Sequence, residues 1–138
     1  MEQSGKNNEE KRKHKRFSAT FIVLYAVRAP FPVRIRIGDK DYSAIAQDIG
    51  EGGMALLLNF EIPVDSLLSL KFNVINEAIL SNEDRMYNFE LDAQVRYCEL
   101  VQTKTYRLGV SFINILPSGS TFLANYIRIN TLTRNPNV

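Results

Sequence analysis

Alternation of apolar and polar positions dominates the middle of the chain. In residues 68–74, leucine, phenylalanine and valine occupy every second position between serine, lysine and asparagine. The same period of two recurs over 89–97 and 106–112, and residues 20–28 form a run of mainly β-branched, aliphatic and aromatic side chains. A period of two over this many positions is typical of antiparallel strands with one face in water.

Two finer predictions rest on the same alternation. Residues 33–37 read Val-Arg-Ile-Arg-Ile, which predicts a half-buried strand with residues 42–49 as its hairpin partner. Tyr97 has the same parity as Phe89 on its strand, so its ring is expected on the apolar core side of the sheet.

The period changes near the C-terminus. Residues 117–120 read Pro-Ser-Gly-Ser, a helix-start signal, and apolar positions then follow at helical spacing up to about Thr133. Because many short antiparallel strands must hide their edges, closure into a barrel is favoured. The predicted fold class is therefore mainly β, a six-stranded antiparallel β-barrel with one C-terminal α-helix.

Charge divides the chain unequally. The 138 residues fit one domain and carry a net charge of +2, but residues 1–16 contribute +3 and residues 17–138 contribute −1. Most of the excess lies in residues 11–16, Lys-Arg-Lys-His-Lys-Arg. This distribution excludes a uniformly basic nucleic-acid coat protein and indicates a neutral body with a basic arm. Residues 1–10 are predicted to be a disordered tail, 11–133 the domain and 134–138 a frayed end.

Composition narrows the function classes further. No stretch approaches the ~20 apolar residues of a membrane span, and we expect a cytoplasmic protein. One cysteine and one histidine exclude a disulfide framework and a multi-histidine metal site, so no metal or other cofactor is expected. The chain also lacks a nucleophile elbow, a P-loop, a dinucleotide fingerprint and a zinc signature, which indicates that it is not an enzyme.

Two segments carry the candidate chemistry. Arg12 and Arg16 stand four residues apart in the basic arm, and a guanidinium can grip phosphate or guanine through its planar fork. A solvated tail is the simpler interpretation of that arm. The second segment, residues 48–53, contains three of the seven glycines. A tight turn with positive φ explains the glycines, but it does not explain Asp48 beside a loop with so little side-chain cover.

Together these segments resemble the PilZ domain, the bacterial receptor module for cyclic di-GMP. The family pattern R-x-x-x-R is present as Arg12 and Arg16, and [DN]-x-S-x-x-G is present as Asp48 and Gly53, with Gly50 where the family usually has serine. Residues 106–112, Tyr-Arg-Leu-Gly-Val-Ser-Phe, are similar to the family's last strand.

The resemblance implies a role for each matching position. Arg12 and Arg16 would contact the phosphates and a guanine, Asp48 would bind the Watson–Crick edge of a guanine, and Gly53 would permit the turn. Lys11 precedes the first motif where some relatives carry a further arginine, so it would assist mainly through its charge. Gly50 lacks the hydroxyl that the family serine supplies to the ligand.

The resemblance therefore predicts a receptor or adaptor whose arm orders over the barrel on binding cyclic di-GMP and then signals to a downstream protein. One rival is a degenerate PilZ adaptor that binds the nucleotide weakly or not at all, which Gly50 favours. The other is a nucleic-acid-binding small barrel, against which the net negative charge of the body argues; membrane insertion is not expected.

Overall fold

The computed structural model describes residues 16–79 and 85–134, with side chains to residue 131. Its strands are β1 (Arg16–Ala29), β2 (Tyr42–Gly50), β3 (Gly53–Leu58), β4 (Leu67–Ile75), β5 (Met86–Gln102) and β6 (Thr105–Phe112). A short helix, α1 (Phe31–Ile37), joins β1 to β2, and α2 (Pro117–Arg134) follows β6.

The strands form one closed antiparallel sheet. Their order is β1-β2-β3-β6-β5-β4, and β4 pairs back onto β1. Closure gives every strand a neighbour on both sides, so no strand forms an open edge of the sheet. The predicted fold class, mainly β with six antiparallel strands and one C-terminal helix, is confirmed.

Apolar side chains from every strand fill the interior of the sheet. The alternation in β4 buries Leu68, Leu70, Phe72 and Val74. Helix α2 packs on β1, β2 and β5 through the predicted apolar stripe, in which Leu123 is fully buried. The sequence periodicity thus specifies both the strands and the packing face of the helix.

The segment predicted as a strand at 33–37 is instead part of helix α1, and that prediction is wrong. Val33 and Ile37 are its buried residues, four positions apart, and Ile35 between them is exposed. Pro32 in the first turn is compatible with a helix, and Gly38 ends it with φ 114°. Accordingly β2 does not pair with residues 33–37. It pairs with β3 on one side and with β1 on the other.

The domain boundaries fall largely outside the described residues. The predicted tail at 1–10 and residues 135–138 of the predicted frayed end lie there, as do Lys11 and Arg12. Arg16, which the charge pattern assigned to the basic arm, is the first residue of β1.

Candidate functional site

Arg16 and Asp48, from the two separate motifs, meet on the outer face of the sheet. In the β1–β2 register, Arg16 is opposite Gly50 and Ser18 is opposite Asp48, which makes Arg16 and Asp48 diagonal neighbours. Arg16 Nη1 donates a hydrogen bond to Asp48 Oδ1 over 2.8 Å, and the two side chains are 27% and 29% exposed. A charge-assisted bond of this length, partly shielded from water, fixes the carboxylate and the guanidinium relative to each other.

The glycine segment connects β2 to β3 beside this pair. Gly50 is the last residue of β2, and Gly53 is the first of β3. Within the described residues, the glycine with a left-handed φ is Gly38, so the expectation of positive φ in this turn is wrong. Gly53 is needed for space instead: a Cβ there would lie 2.0 Å from the backbone oxygen of Val110 on β6. The absence of a side chain lets β3 and β6 approach.

One row of paired positions crosses five strands at the level of Asp48. Each member is the register partner of the next: Ser18 on β1, Asp48 on β2, Ala55 on β3, Gly109 on β6 and Tyr97 on β5. The two residues between Asp48 and Tyr97 in this row, Ala55 and Gly109, have almost no side chain. No large side chain of the row therefore stands between the Asp48 carboxylate and the Tyr97 ring.

Tyr97 lies on the outer face, so its predicted place on the core side is wrong. The β5–β6 register shifts between Val95 and Tyr97, which turns the tyrosine outward although Val95 remains fully buried. Tyr97 is 43% exposed, and its ring covers Gly109. The alternation of the sequence could not predict that Tyr97 faces outward, because the register shift adds one residue to β5 and so reverses the alternation after Val95.

The Tyr97 phenol is close enough to the Asp48 end of the row to be affected by its charges. Burial raises the pKa of the Tyr97 phenol above its ordinary value, and the Asp48 carboxylate raises it further. Arg16 and Arg107 act on this pKa in the opposite direction. The phenol stays protonated at neutral pH and can donate a hydrogen bond.

Arg107 on β6 lies on the outer face near this row and belongs to neither sequence motif. Its Nε donates to Gln47 Oε1 and its Nη1 to Glu99 Oε1, both over 2.9 Å. It projects outward two residues before Gly109, at a polar position of the strand alternation. The alternation over residues 106–112 could have indicated that Arg107 faces outward, since it lies between apolar positions.

The arrangement suits a planar, polar, anionic ligand. Asp48 can accept from N–H donors on the edge of a base, and a guanidinium carries five N–H donors, of which the bond to Asp48 uses one of those on Arg16. Lys11 and Arg12, the other predicted site residues, lie outside the described part of the chain.

Residues 16–79 and 85–134 contain no group of three or more histidine, cysteine, aspartate or glutamate side chains placed to hold a metal ion. No helix in these ranges combines the length and the apolar character that a bilayer span requires.

The closed antiparallel sheet with its C-terminal helix, and the contact of Arg16 with Asp48 on its outer face, define a small β-domain. The family model of the PilZ domain matches residues 10–128 of this sequence, so the chain belongs to the PilZ domain family. No curated protein matches the sequence.

Solved structures share the fold at low sequence identity. The chain is similar to the Bacillus subtilis inhibitor of motility MotI/DgrA, with 17% identity and a TM-score of 0.65 over 90% of this chain and 53% of that one. The PilZ domain of YcgR from Escherichia coli, solved with c-di-GMP, has 18% identity and a TM-score of 0.59, over 92% of this chain and 96% of that one.

A third similar structure is the K. pneumonia MrkH–c-di-GMP complex, with 13% identity and a TM-score of 0.62 over 93% of this chain and 55% of that one. The chain thus spans about half the length of MotI and of MrkH, and nearly the whole length of the isolated YcgR domain.

Proposed function

We propose that the chain is a receptor for cyclic di-GMP and binds it on the outer face at Arg16 and Asp48. The observation that carries the proposal is the 2.8 Å contact between these two residues, which come from separate motifs 32 positions apart. PilZ structures solved with c-di-GMP, those of YcgR and MrkH, share the fold and support the choice of ligand.

Each site residue has a part in the proposed complex. Arg16, together with Arg12 and more weakly Lys11, neutralises the two phosphates, and the planar guanidinium of Arg16 also contacts a guanine. Asp48 accepts hydrogen bonds from the Watson–Crick N–H donors of that guanine. Gly50 and Gly53 keep the strand ends low enough for the ligand to lie across them.

The proposed role is that of an adaptor and not of a catalyst. Binding would change the surface presented around residues 11–16, and a downstream protein of unidentified chemistry would read the change. Ordering of residues 11–15 by the ligand stays a prediction, since they lie outside the described part of the chain. Hydrogen exchange at these amides, with and without cyclic di-GMP, tests it: added protection supports ordering, and unchanged exchange contradicts it.

Isothermal titration calorimetry with cyclic di-GMP tests the receptor assignment. We expect saturable binding by the wild type, and a loss of at least about a hundredfold in affinity for Arg16→Ala and for Asp48→Ala. Each substitution removes a charged contact and leaves its partner unpaired.

The exposed pair Arg34–Asp39, 2.9 Å long, supplies the matched control. Arg34→Ala and Asp39→Ala remove an ion pair of the same chemistry from α1 and the following turn, and both should bind like the wild type. Absence of wild-type binding would favour the degenerate adaptor, for which Gly50 in place of serine is the supporting observation. Salt-dependent binding of unrelated DNA would favour the nucleic-acid barrel.

A further inference from the structure

The ring of Tyr97 lies with its face on the sheet and not with its edge. A Cβ built on Gly109 would lie 1.9 Å from Cε2 of Tyr97, and 2.4 and 2.6 Å from the two ring carbons bonded to Cε2. The distances to Cδ2 and Cζ are similar and only slightly longer than the distance to Cε2, so this Cβ would approach the ring from its face. The plane of the Tyr97 ring therefore lies over Gly109. One face of the ring therefore rests on the β6 backbone, so the 43% exposure of Tyr97 comes from the other face and from the ring edges.

The absence of a side chain at Gly109 leaves the space that the Tyr97 ring occupies. The φ of Gly109 is not left-handed, so the backbone alone does not demand glycine. Any side chain at position 109 would occupy the space of the Tyr97 ring. Ala55, the next residue in the row, is only 4% exposed although it projects outward. The Tyr97 ring thus lies on the backbone of β6 at Gly109, and the next outward position towards Asp48 is again a small residue.

The exposed face of the ring is part of the same surface as the Arg16–Asp48 pair. Tyr97 and Asp48 belong to one row, separated by two strands and by these two small residues. Adjacent strands are about 4.8 Å apart, so a tyrosine reaching across Gly109 covers roughly half of the distance to Asp48. A planar heterocycle lying on the ring would have its edge directed towards the carboxylate.

We propose that Tyr97 is the stacking platform for a purine base of the ligand, with Asp48 binding the edge of the stacked base. The inference rests on the proposed function and deepens it, because it identifies an aromatic contact outside both sequence motifs. Stacking on an aromatic face is a common way for proteins to hold an unpaired base. Arg107, which donates hydrogen bonds to Gln47 and Glu99, lies on the same strand as Gly109, two residues before it.

Titration calorimetry with cyclic di-GMP on four proteins tests the platform. Tyr97→Phe keeps the ring and should bind within about threefold of the wild type. Tyr97→Leu keeps an apolar cover over Gly109 without a π face, and should lose about ten- to a hundredfold in affinity. Phe31→Leu, at an aromatic residue of α1 that is 68% exposed, is the matched control and should bind normally.

A spectroscopic arm gives a readout that a merely structural role would not change. The chain has no tryptophan, so Tyr97→Trp introduces a single reporter whose emission a stacked guanine should quench. Phe31→Trp should report no change. Thermal unfolding of each variant without ligand separates folding from binding.

The outcomes separate the two levels of the proposal. If the wild type fails to bind cyclic di-GMP, the proposed function and the platform fall together. If the wild type binds, Tyr97→Leu binds equally well and Tyr97→Trp is not quenched, the platform is overturned and the proposed function stands. A lower melting temperature in Tyr97→Leu with unchanged affinity would show that the ring only shields Gly109.

Discussion

Arg16 and Asp48 contact each other at the place where the ligand is proposed to bind. The ligand must replace this ion pair, so the strength of the pair determines how much free energy of binding is lost. Both side chains are more than a quarter exposed, and ion pairs in such surroundings contribute about 0–1 kcal/mol. A phosphate or a guanine edge offers each group a stronger charge-assisted partner. The pair therefore holds both groups in position while opposing ligand binding only weakly.

Gly50 offers a direct test of the residue in which the chain departs from the PilZ pattern. It ends β2 opposite Arg16, so a serine there would place a hydroxyl beside the proposed site. We expect Gly50→Ser to tighten cyclic di-GMP binding about tenfold, equivalent to ~1.4 kcal/mol, measured by calorimetry. Gly50→Ala is the control, since it adds the Cβ without the hydroxyl. Equal affinity in the serine and alanine variants would contradict a role for the hydroxyl.

Tyr25 provides a residue-scale prediction about stability. It is 1% exposed, and burial, followed by the charge of Tyr42, raises the pKa of its phenol far above the ordinary 10.0. Unfolding frees the phenol to ionise near pH 10, so its contribution is complete below pH 10 and is lost as the pH rises above it. One such tyrosine costs about 1.4 kcal/mol per pH unit in that range.

We expect Tyr25→Phe to flatten the alkaline fall of stability, measured by urea unfolding at pH values between 7 and 11.5. From pH 7 to 9 the free energies of unfolding of the two proteins should differ by a constant amount, which is the internal control. An equally steep fall above pH 10 in the phenylalanine variant would assign the alkaline transition to other groups.

At the scale of elements, the period of the sequence specified most of the fold. The alternation in β4 and the stripe of α2 are long enough to distinguish a strand from a helix. Residues 33–37 are not, because Val33 and Ile37 satisfy both a period of two and the four-residue spacing of a helix. Only the contacts of α1 with β1 decide between them.

The candidate site could be predicted to a similar extent. The motifs identified Arg16 and Asp48, and the β1–β2 register joins them. Tyr97 could not be found, because the bulge after Val95 reverses its parity and depends on strand pairing. The reason for Gly53 was equally hidden, since its neighbour Val110 is 57 positions away in the chain. A contact between segments that are far apart in the chain cannot be inferred from the local sequence pattern.

Gly53 supports a prediction about how β3 meets β6. A Cβ at this position would overlap a backbone carbonyl, which cannot rotate away, so Gly53→Ala should lower the free energy of unfolding by about 2–3 kcal/mol. Gly119→Ala is the matched control: its Cβ would lie 2.9 Å from a side-chain ring carbon of Phe89 and not 2.0 Å from backbone, and alanine favours the helix. Urea unfolding should place this control within about 1 kcal/mol of wild type. Equal losses in both variants would contradict the steric argument.

At the scale of the whole molecule, the proposed site is inseparable from the core. Its residues project outward from neighbouring strands of a closed sheet, and the inward side chains of those strands fill one interior. Phe17, next to Arg16, packs edge-on against Tyr126 of α2 with ring centroids 5.4 Å apart. A ligand held by Arg16 and Asp48 is thus connected to the sheet and to the helix, and unfolding either element would release it.

This connection predicts that cyclic di-GMP stabilises the domain as one unit. A ligand that binds only the folded state at a hundred times its dissociation constant adds about 2.7 kcal/mol to the free energy of unfolding. For a domain of this size, that should raise the melting temperature by several degrees in a single transition, measured by calorimetry. Asp48→Ala, if weakened a hundredfold, should gain at most about 0.4 kcal/mol and show little shift, and Asp39→Ala should show the full shift. A transition that splits, with only one step moved by the ligand, would mean that the site belongs to a unit that unfolds separately from the core.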